Sequence, residues 1–141
     1  MGVMIEDARF DPPNGTSVVK PYVLSHGTLQ VYDLAASRRF YEEFLGMEVV
    51  RHGPRSMALR CGMKFHIVAV ETKDQLTPTS VFSHWGLDVE SKAEVDRCHA
   101  AAKASQEKYG LLQVRDPIEQ HGVYSFYMED RDHNWWEVQY Y

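Results

Sequence analysis

Three residues spread along the chain, His26, His84 and Glu137, have the side-chain types of a metal site. Two imidazoles and a carboxylate fill part of a six-coordinate shell and leave the other positions for substrate or O₂, as in non-haem Fe(II) oxygenases. The same set could hold Mn²⁺, Ni²⁺, Co²⁺ or Zn²⁺ as a Lewis acid on an oxygenated substrate. Spacing this long is not a motif by itself. The reading depends on whether the strands around these residues aim them at one place.

Strand periodicity supports it. Residues 135–140, Trp-Trp-Glu-Val-Gln-Tyr, favour a strand. Alternation puts Trp135, Glu137 and Gln139 on one face and Trp136, Val138 and Tyr140 on the other. The second set suits a core, which leaves the Glu137 carboxylate needing solvent or a partner. His26-Gly27-Thr28-Leu29-Gln30-Val31 and His84-Trp85-Gly86-Leu87-Asp88-Val89 both read His-x-x-Leu-x-Val. In each, Leu and Val share a parity that packs under a helix, and His has the other. Both imidazoles are therefore expected on the face assigned to Glu137.

The repeat extends to the order of elements. Residues 22–31 read as a strand, and Asp33 leads into a helix at 34–45. Phe40, Tyr41, Phe44 and Leu45 form its apolar stripe and Gly46 its stop. Strands follow at 47–51, 56–61 and 64–71, then a polar loop at 73–80. The pattern restarts with a strand at 83–89 and a helix at 90–108, where Ser91 and Glu94 have capping-box spacing. Gly110 stops that helix, and strands follow at 111–114, 122–129 and 135–140. The expected fold class is α+β: two βαβββ modules, 21–72 and 83–141, forming a curled mixed sheet around a metal-binding cleft. Together they make one domain, 21–141. Residues 1–20, with Asp11-Pro12-Pro13-Asn14-Gly15, read as an irregular N-terminal arm.

The 141 residues suit one domain with a sizeable core. An apolar share of 44% and a charged share of 25% are those of a globular chain, so long disorder is not expected. A net charge of −5 with 15 scattered Lys and Arg disfavours nucleic acid or an anionic membrane as partner. Cys61 and Cys98 have neither CxxC nor zinc-ribbon spacing and are expected as small core residues in a reducing compartment. Without a membrane-length apolar run or a signal-like start, a soluble cytoplasmic protein is expected. His52, His99 and His133 are placed on loops or helix surface. Trp85, Trp136, Tyr124 and Phe126 are placed in the core.

Residues 22–141 resemble the vicinal oxygen chelate superfamily, which includes glyoxalase I, fosfomycin and bleomycin resistance proteins and type I extradiol dioxygenases. The resemblance is carried by His26-x-x-Leu-x-Val, by Asp33-Leu34 before Ser37-Arg38-Arg39-Phe40-Tyr41-Glu42-Glu43-Phe44-Leu45-Gly46-Met47, by His84, and by Asp130-Arg131-Asp132-His133-Asn134-Trp135-Trp136-Glu137. The last turn departs from the commoner Asp-Pro-Asp-Gly-Asn at Arg131 and His133. The resemblance implies a metal, Fe²⁺ first and Mn²⁺, Ni²⁺, Co²⁺ or Zn²⁺ as alternatives, on His26, His84 and Glu137. Glyoxalase I adds a glutamate on the last strand of its first module. Here His66 and Glu71, of opposite parity, are the candidates for that place, and a three-ligand site is the expectation.

Extradiol enzymes resemble one another in a His and a Tyr ahead of the turn. His121 and Tyr127 stand in that order, one residue closer than the usual signature, which implies acid–base and substrate-orienting roles. Trp135 on the cleft face is expected against an aromatic substrate or a dimer contact, with His66 and Gln139 as further substrate contacts and Tyr141 within reach of the cleft. The implied function is Fe(II) extradiol-type ring cleavage of a catechol-like aromatic. The alternatives are a glyoxalase I-like lyase or isomerase, a fosfomycin-type thiol transferase, and a metal-free binding protein of the bleomycin-resistance type. A homodimer is implied, its modules closed on each other or swapped between subunits.

Overall fold

The computed structural model describes residues 15–141. Most of the expected N-terminal arm, 1–14, lies outside the described residues. Residues 15–25 hold turns and bends without a strand, so the first strand opens at His26 rather than at 22. The order is β1 (His26–Val31), α1 (Leu34–Arg39) continued as a wider helical turn over Phe40–Phe44, β2 (Glu48–Gly53), β3 (Ser56–Arg60) and β4 (His66–Glu71). The second module runs β5 (His84–Asp88), α2 (Lys92–Ala104), α3 (Gln106–Tyr109), β6 (Gln113–Val114), β7 (Ile118–Gln120), β8 (Val123–Glu129) and β9 (Trp135–Tyr140).

The two modules build two mixed sheets by one rule. The strand orders are β1-β4-β3-β2 and β5-β9-β8-β6, with β7 also on β8, and neither sheet is closed. β1 lies parallel to β4 and β5 parallel to β9, while the other pairs are antiparallel. This is the expected βαβββ repeat. It departs from regularity where the edge splits into β6 and β7 around Pro117, which cannot donate to a ladder, and where the β2–β3 register shifts between Arg51 and Gly53.

Local chemistry sets the helix ends. The Asp33 side chain accepts from Ala36 N at 2.9 Å and Ser91 Oγ from Glu94 N at 3.1 Å, satisfying free N–H groups of the first turns. Gly110 ends α3 with φ of 68°, a left-handed cap.

Leu29, Val31, Met57, Leu59, Ile67 and Ala69 of the first sheet and Phe126, Met128, Trp136 and Val138 of the second belong to one buried cluster. The wider turn after α1 joins them, with the Tyr41 ring 5.7 Å from that of Trp136 and the Phe40 ring 5.9 Å from that of Tyr109. Each sheet therefore gives one face to the shared core. His26, Thr28, His66 and Val68 stand on the outer face of the first sheet, and Trp135 and Glu137 on the outer face of the second. The sheets also meet where β1 passes Trp85. A Cβ on Gly27 would lie 2.2 Å from Cη2 of that ring, so only glycine lets the strand approach so closely.

The turn from β8 to β9 ties the modules together. Asp130, fully buried, accepts from Asp132 N (2.8 Å), Asn134 N (3.0 Å) and Trp136 Nε1 (2.9 Å). Asp132 accepts from Tyr32 N (2.9 Å) and Ser37 Oγ (2.5 Å), and Asn134 Nδ2 donates to the Gln30 carbonyl (2.7 Å). The polar turn is thus a clamp onto β1 and α1. Within it His133 has φ of 62°, the left-handed conformation that favours glycine.

Expectations about single residues change in places. Cys61 is exposed, while Cys98 is half-buried and packs against the core. His52 lies in β2 rather than on a loop or helix surface. His99 is not on the helix surface; its ring packs edge-on to Phe126 at 5.2 Å. Among the described residues no helix is long and apolar enough to cross a membrane.

Candidate metal centre

His84 opens β5, beside β9. In that ladder His84 is opposite Trp135 and Gly86 opposite Glu137, so His84 and Glu137 are diagonal neighbours on the outer face. Gly86 puts no side chain between them, and His84 Nε2 lies 3.1 Å from Glu137 Oε2. Nδ1 of the same ring lies 2.6 Å from the Val81 carbonyl oxygen, which makes Nδ1 the donor and leaves Nε2 as a lone pair in the neutral ring. A lone pair facing a carboxylate oxygen is repulsive unless a proton or a cation lies between them. A second hydrogen bond fixing the far nitrogen is also the usual support of a metal-binding histidine.

Glu137 is 8% exposed. Across β8 the Glu137 carboxylate is opposite Tyr127. Burial first, and then that carboxylate, raise the Tyr127 hydroxyl above its ordinary pKa. The His84 ring stands edge-on to Tyr127 at 5.1 Å, and Gln120 Nε2 donates to the Tyr127 oxygen at 3.4 Å. Trp135 shares this face, but the Arg115 guanidinium lies 4.7 Å from its ring centre and covers it. Gln139 Nε2 donates to Asp88 Oδ1 at 2.7 Å.

His26 stands apart from this group, on the other sheet. Ladder register there sets Glu48, Arg60, His66 and His26 in one row across β2, β3, β4 and β1. The His26 and His66 rings stack at 5.6 Å with planes 19° apart. Nδ1 of His26 is 2.8 Å from Ser25 Oγ and Nδ1 of His66 is 3.1 Å from the Lys64 carbonyl oxygen. Each ring is thus tethered through Nδ1, the arrangement that His84 also has.

The repeat identifies the position that mirrors Glu137. Gly86 is opposite Glu137 in the second sheet, and Thr28, two residues after His26, is opposite Val68 in the first. The mirror position is therefore an aliphatic side chain, and neither His66 nor Glu71 occupies it. Glu71 instead accepts from Leu34 N at 3.1 Å and pairs with Lys73 at 3.3 Å, at the start of α1.

His121 is not on a strand. Gln120 pairs with Val123, so His121 and Gly122 are the two loop residues of a hairpin, with φ of 54° and 75°. Positive φ at both central positions is what such hairpins require. A turn therefore separates His121 from β8, the strand that carries Tyr127. Tyr141 is exposed and follows the end of β9.

The structure thus brings together His84, Glu137 and Tyr127, pairs His26 with His66, and leaves His121 in a turn. Among the described residues no three His, Cys, Asp or Glu side chains meet in a group able to hold a metal. The donor types fit a divalent ion, but one chain assembles two of them rather than three. Sequence reasoning did not find the Val81 carbonyl, the Arg115 cover on Trp135 or the aliphatic mirror position at Val68. The last was within reach, by carrying the His-x-x-Leu-x-Val alignment through to the closing strands.

The sequence profile of the Glyoxalase/Bleomycin resistance protein/Dioxygenase superfamily matches residues 23–138. Among solved structures, a protein from Bacillus cereus described as a possible glyoxalase is 26% identical, with TM-score 0.67, covering 84% of this chain and 98% of that one. The fosfomycin resistance protein FosX of Listeria monocytogenes is 22% identical, with TM-score 0.70, over 86% and 95% of the two chains. Lactoylglutathione lyase of Agrobacterium tumefaciens is 21% identical, with TM-score 0.65, over 86% and 95%. The latter two likenesses, at their low identity, speak to the fold alone. No curated protein matches.

Proposed function

The chain belongs to the glyoxalase/bleomycin resistance protein/dioxygenase superfamily, and from that premise we propose that it is a metal-dependent enzyme. The reaction is Fe(II)-dependent ring cleavage of a catechol-like aromatic, at a site shared by two copies of the chain. His84 and Glu137 of one copy and His26 of the other are the ligands. The observation that carries the reading is the 3.1 Å approach of His84 Nε2 to Glu137 Oε2, with the far nitrogen on the Val81 carbonyl. Support for sharing comes from the two sheets giving their inner faces to one core, with His26 on the outer face of one and the His84–Glu137 pair on the outer face of the other.

An ion held by His84 and Glu137 of one copy and His26 of the other would supply Lewis acidity toward an oxygenated aromatic substrate. The chain's own groups do the rest. Tyr127, opposite Glu137 in the ladder, orients a substrate oxygen with its hydroxyl proton, which burial and the nearby carboxylate keep in place. Either His121, at the hairpin turn before β8, or His66, stacked on His26, would take up or return a proton. The aliphatic Val68 at the mirror position of Glu137 supports three ligands over the four of glyoxalase I.

The test is elemental analysis of protein purified anaerobically without chelator, followed by O₂ uptake with catechol. Iron bound, with uptake that Tyr127→Phe slows, supports the reading. Nickel, zinc or manganese with no uptake would turn it toward lyase or thiol-transfer chemistry, and ligand binding that survives chelation toward a sequestering protein.

A further inference from the structure

The outer face of the first sheet holds a cavity of about 390 Å³ lined by Glu48, Val50, Ala58, Arg60, Lys64 and His66, with Val49 at its edge. Ladder register divides its lining into two rows. Glu48, Arg60, His66 and His26 run across the four strands, and next to them run Val50, Ala58, Val68 and Thr28. One row is polar and ends at His26. The other is mostly aliphatic, and Val50 is 62% exposed within it.

Charges in the lining do not cancel, with Arg60 and Lys64 against Glu48. Arg60 is held by Glu48 through Nε at 2.9 Å and Nη2 at 3.4 Å, which leaves Nη1 outside that pairing. The Glu48 carboxylate also takes Gly62 N at 3.1 Å, and with Arg60 these contacts hold it below its usual pKa, so it is a fixed anchor for the guanidinium. Lys64 Nζ donates to Tyr22 Oη at 2.6 Å, and its ammonium keeps two further protons to give. Two cations beside an aliphatic floor match a small molecule with an apolar body and one anionic group.

We infer that this cavity recognises a carboxylate on the substrate, with Arg60 and Lys64 on the anionic group and Val50 and Ala58 under the body. The inference rests on the reading of this face as part of the active site, and it narrows the substrate class to aromatic acids. Arg60 and Lys64 are specificity residues, distinct from the metal ligands.

The experiment needs neither metal nor turnover. Full-length protein is titrated with benzoate and with benzamide, the neutral analogue of the same shape, and followed by amide NMR shifts. Benzoate binding about tenfold tighter than benzamide, with shifts centred on Arg60 to His66, is expected from charge-assisted hydrogen bonds. In Arg60→Gln/Lys64→Met that preference disappears and the rest of the spectrum is unchanged. Equal binding of the two probes, no binding of either, or benzoate shifts confined elsewhere would overturn the inference. The ring-cleavage reading fails separately, through absence of metal and of O₂ uptake with both catechol and a carboxylated catechol.

Discussion

His84 and Glu137 sit diagonally across a parallel strand pair, with 3.1 Å between Nε2 and Oε2 and with glycine at residue 86 as the residue opposite Glu137. A Cβ at residue 86 would meet nothing within 4 Å, so the approach leaves room for a small side chain there. Gly86→Ala should therefore leave metal binding unchanged and the far-ultraviolet spectrum native. Loss of metal in that variant would mean that the His84–Glu137 contact depends on the bare backbone of β5. Direct loss of a ligand, in His84→Ala, should weaken metal binding by at least about 100-fold.

Tyr127→Phe removes the hydroxyl and nothing else from the outer face. Metal content should be unchanged and kcat should fall by about 10². A normal kcat would leave Tyr127 as packing against His84 only.

His121 in a left-handed turn position makes a second kinetic prediction. Asparagine tolerates positive φ better than histidine does. With His66 as the acid–base group, His121→Asn should keep turnover and raise stability by about 0.5 kcal/mol in a denaturant melt. Loss of turnover with folding intact would assign the acid–base role to His121.

The Asp130 clamp gives stability a pH dependence. Burial pushes its carboxyl from an ordinary 3.8 up to about 7, against the N–H donors from Trp136, Asn134 and Asp132 that favour the anion. Between those values the unfolded chain has lost a proton that the folded chain retains. The contribution of Asp130 to stability therefore falls as pH rises from about 4 through 7. Asp130→Asn turns a donor toward Trp136 Nε1 and should cost about 1–3 kcal/mol. The gap between wild type and variant should narrow from pH 5 to pH 8 in thermal melts; a constant gap would mean that Asp130 does not titrate there.

Gly27→Ala places a methyl against the Trp85 ring, where 2.2 Å is available. Overpacking there should destabilise by about 1–3 kcal/mol, seen as a lower urea midpoint.

Much of the fold was legible because the signals were local and doubled. His-x-x-Leu-x-Val occurs twice, each time with an apolar parity that packs inward, and Leu29 and Val31 are buried as that parity requires. Boundaries were less legible. Tyr22 and Leu24 favour a strand, yet both are exposed and unpaired in a ladder, because β1 starts where a partner strand is present at His66. The strand expected at 122–129 begins one residue late, because His121 and Gly122 form the two-residue turn before β8. The Asp130–Asn134 turn was legible as a turn but not as a clamp, since Tyr32, Ser37 and Gln30 lie about a hundred residues earlier. The placement of His26 away from Glu137 was hidden for another reason. Parity gives the face of a sheet, and says nothing about which sheets face each other.

The central claim is a metal site built from two copies, and subunit mixing tests it most directly. His26→Ala and Glu137→Ala proteins are purified separately, then unfolded, mixed and refolded together before metal analysis. Each variant alone should hold essentially no metal. In a mixed dimer one site has both lesions and the other has none, so the mixture should regain metal, up to about one ion per mixed pair. A mixture as empty as its parents, beside a wild type that binds metal, would contradict the shared site and place all three ligands within one chain.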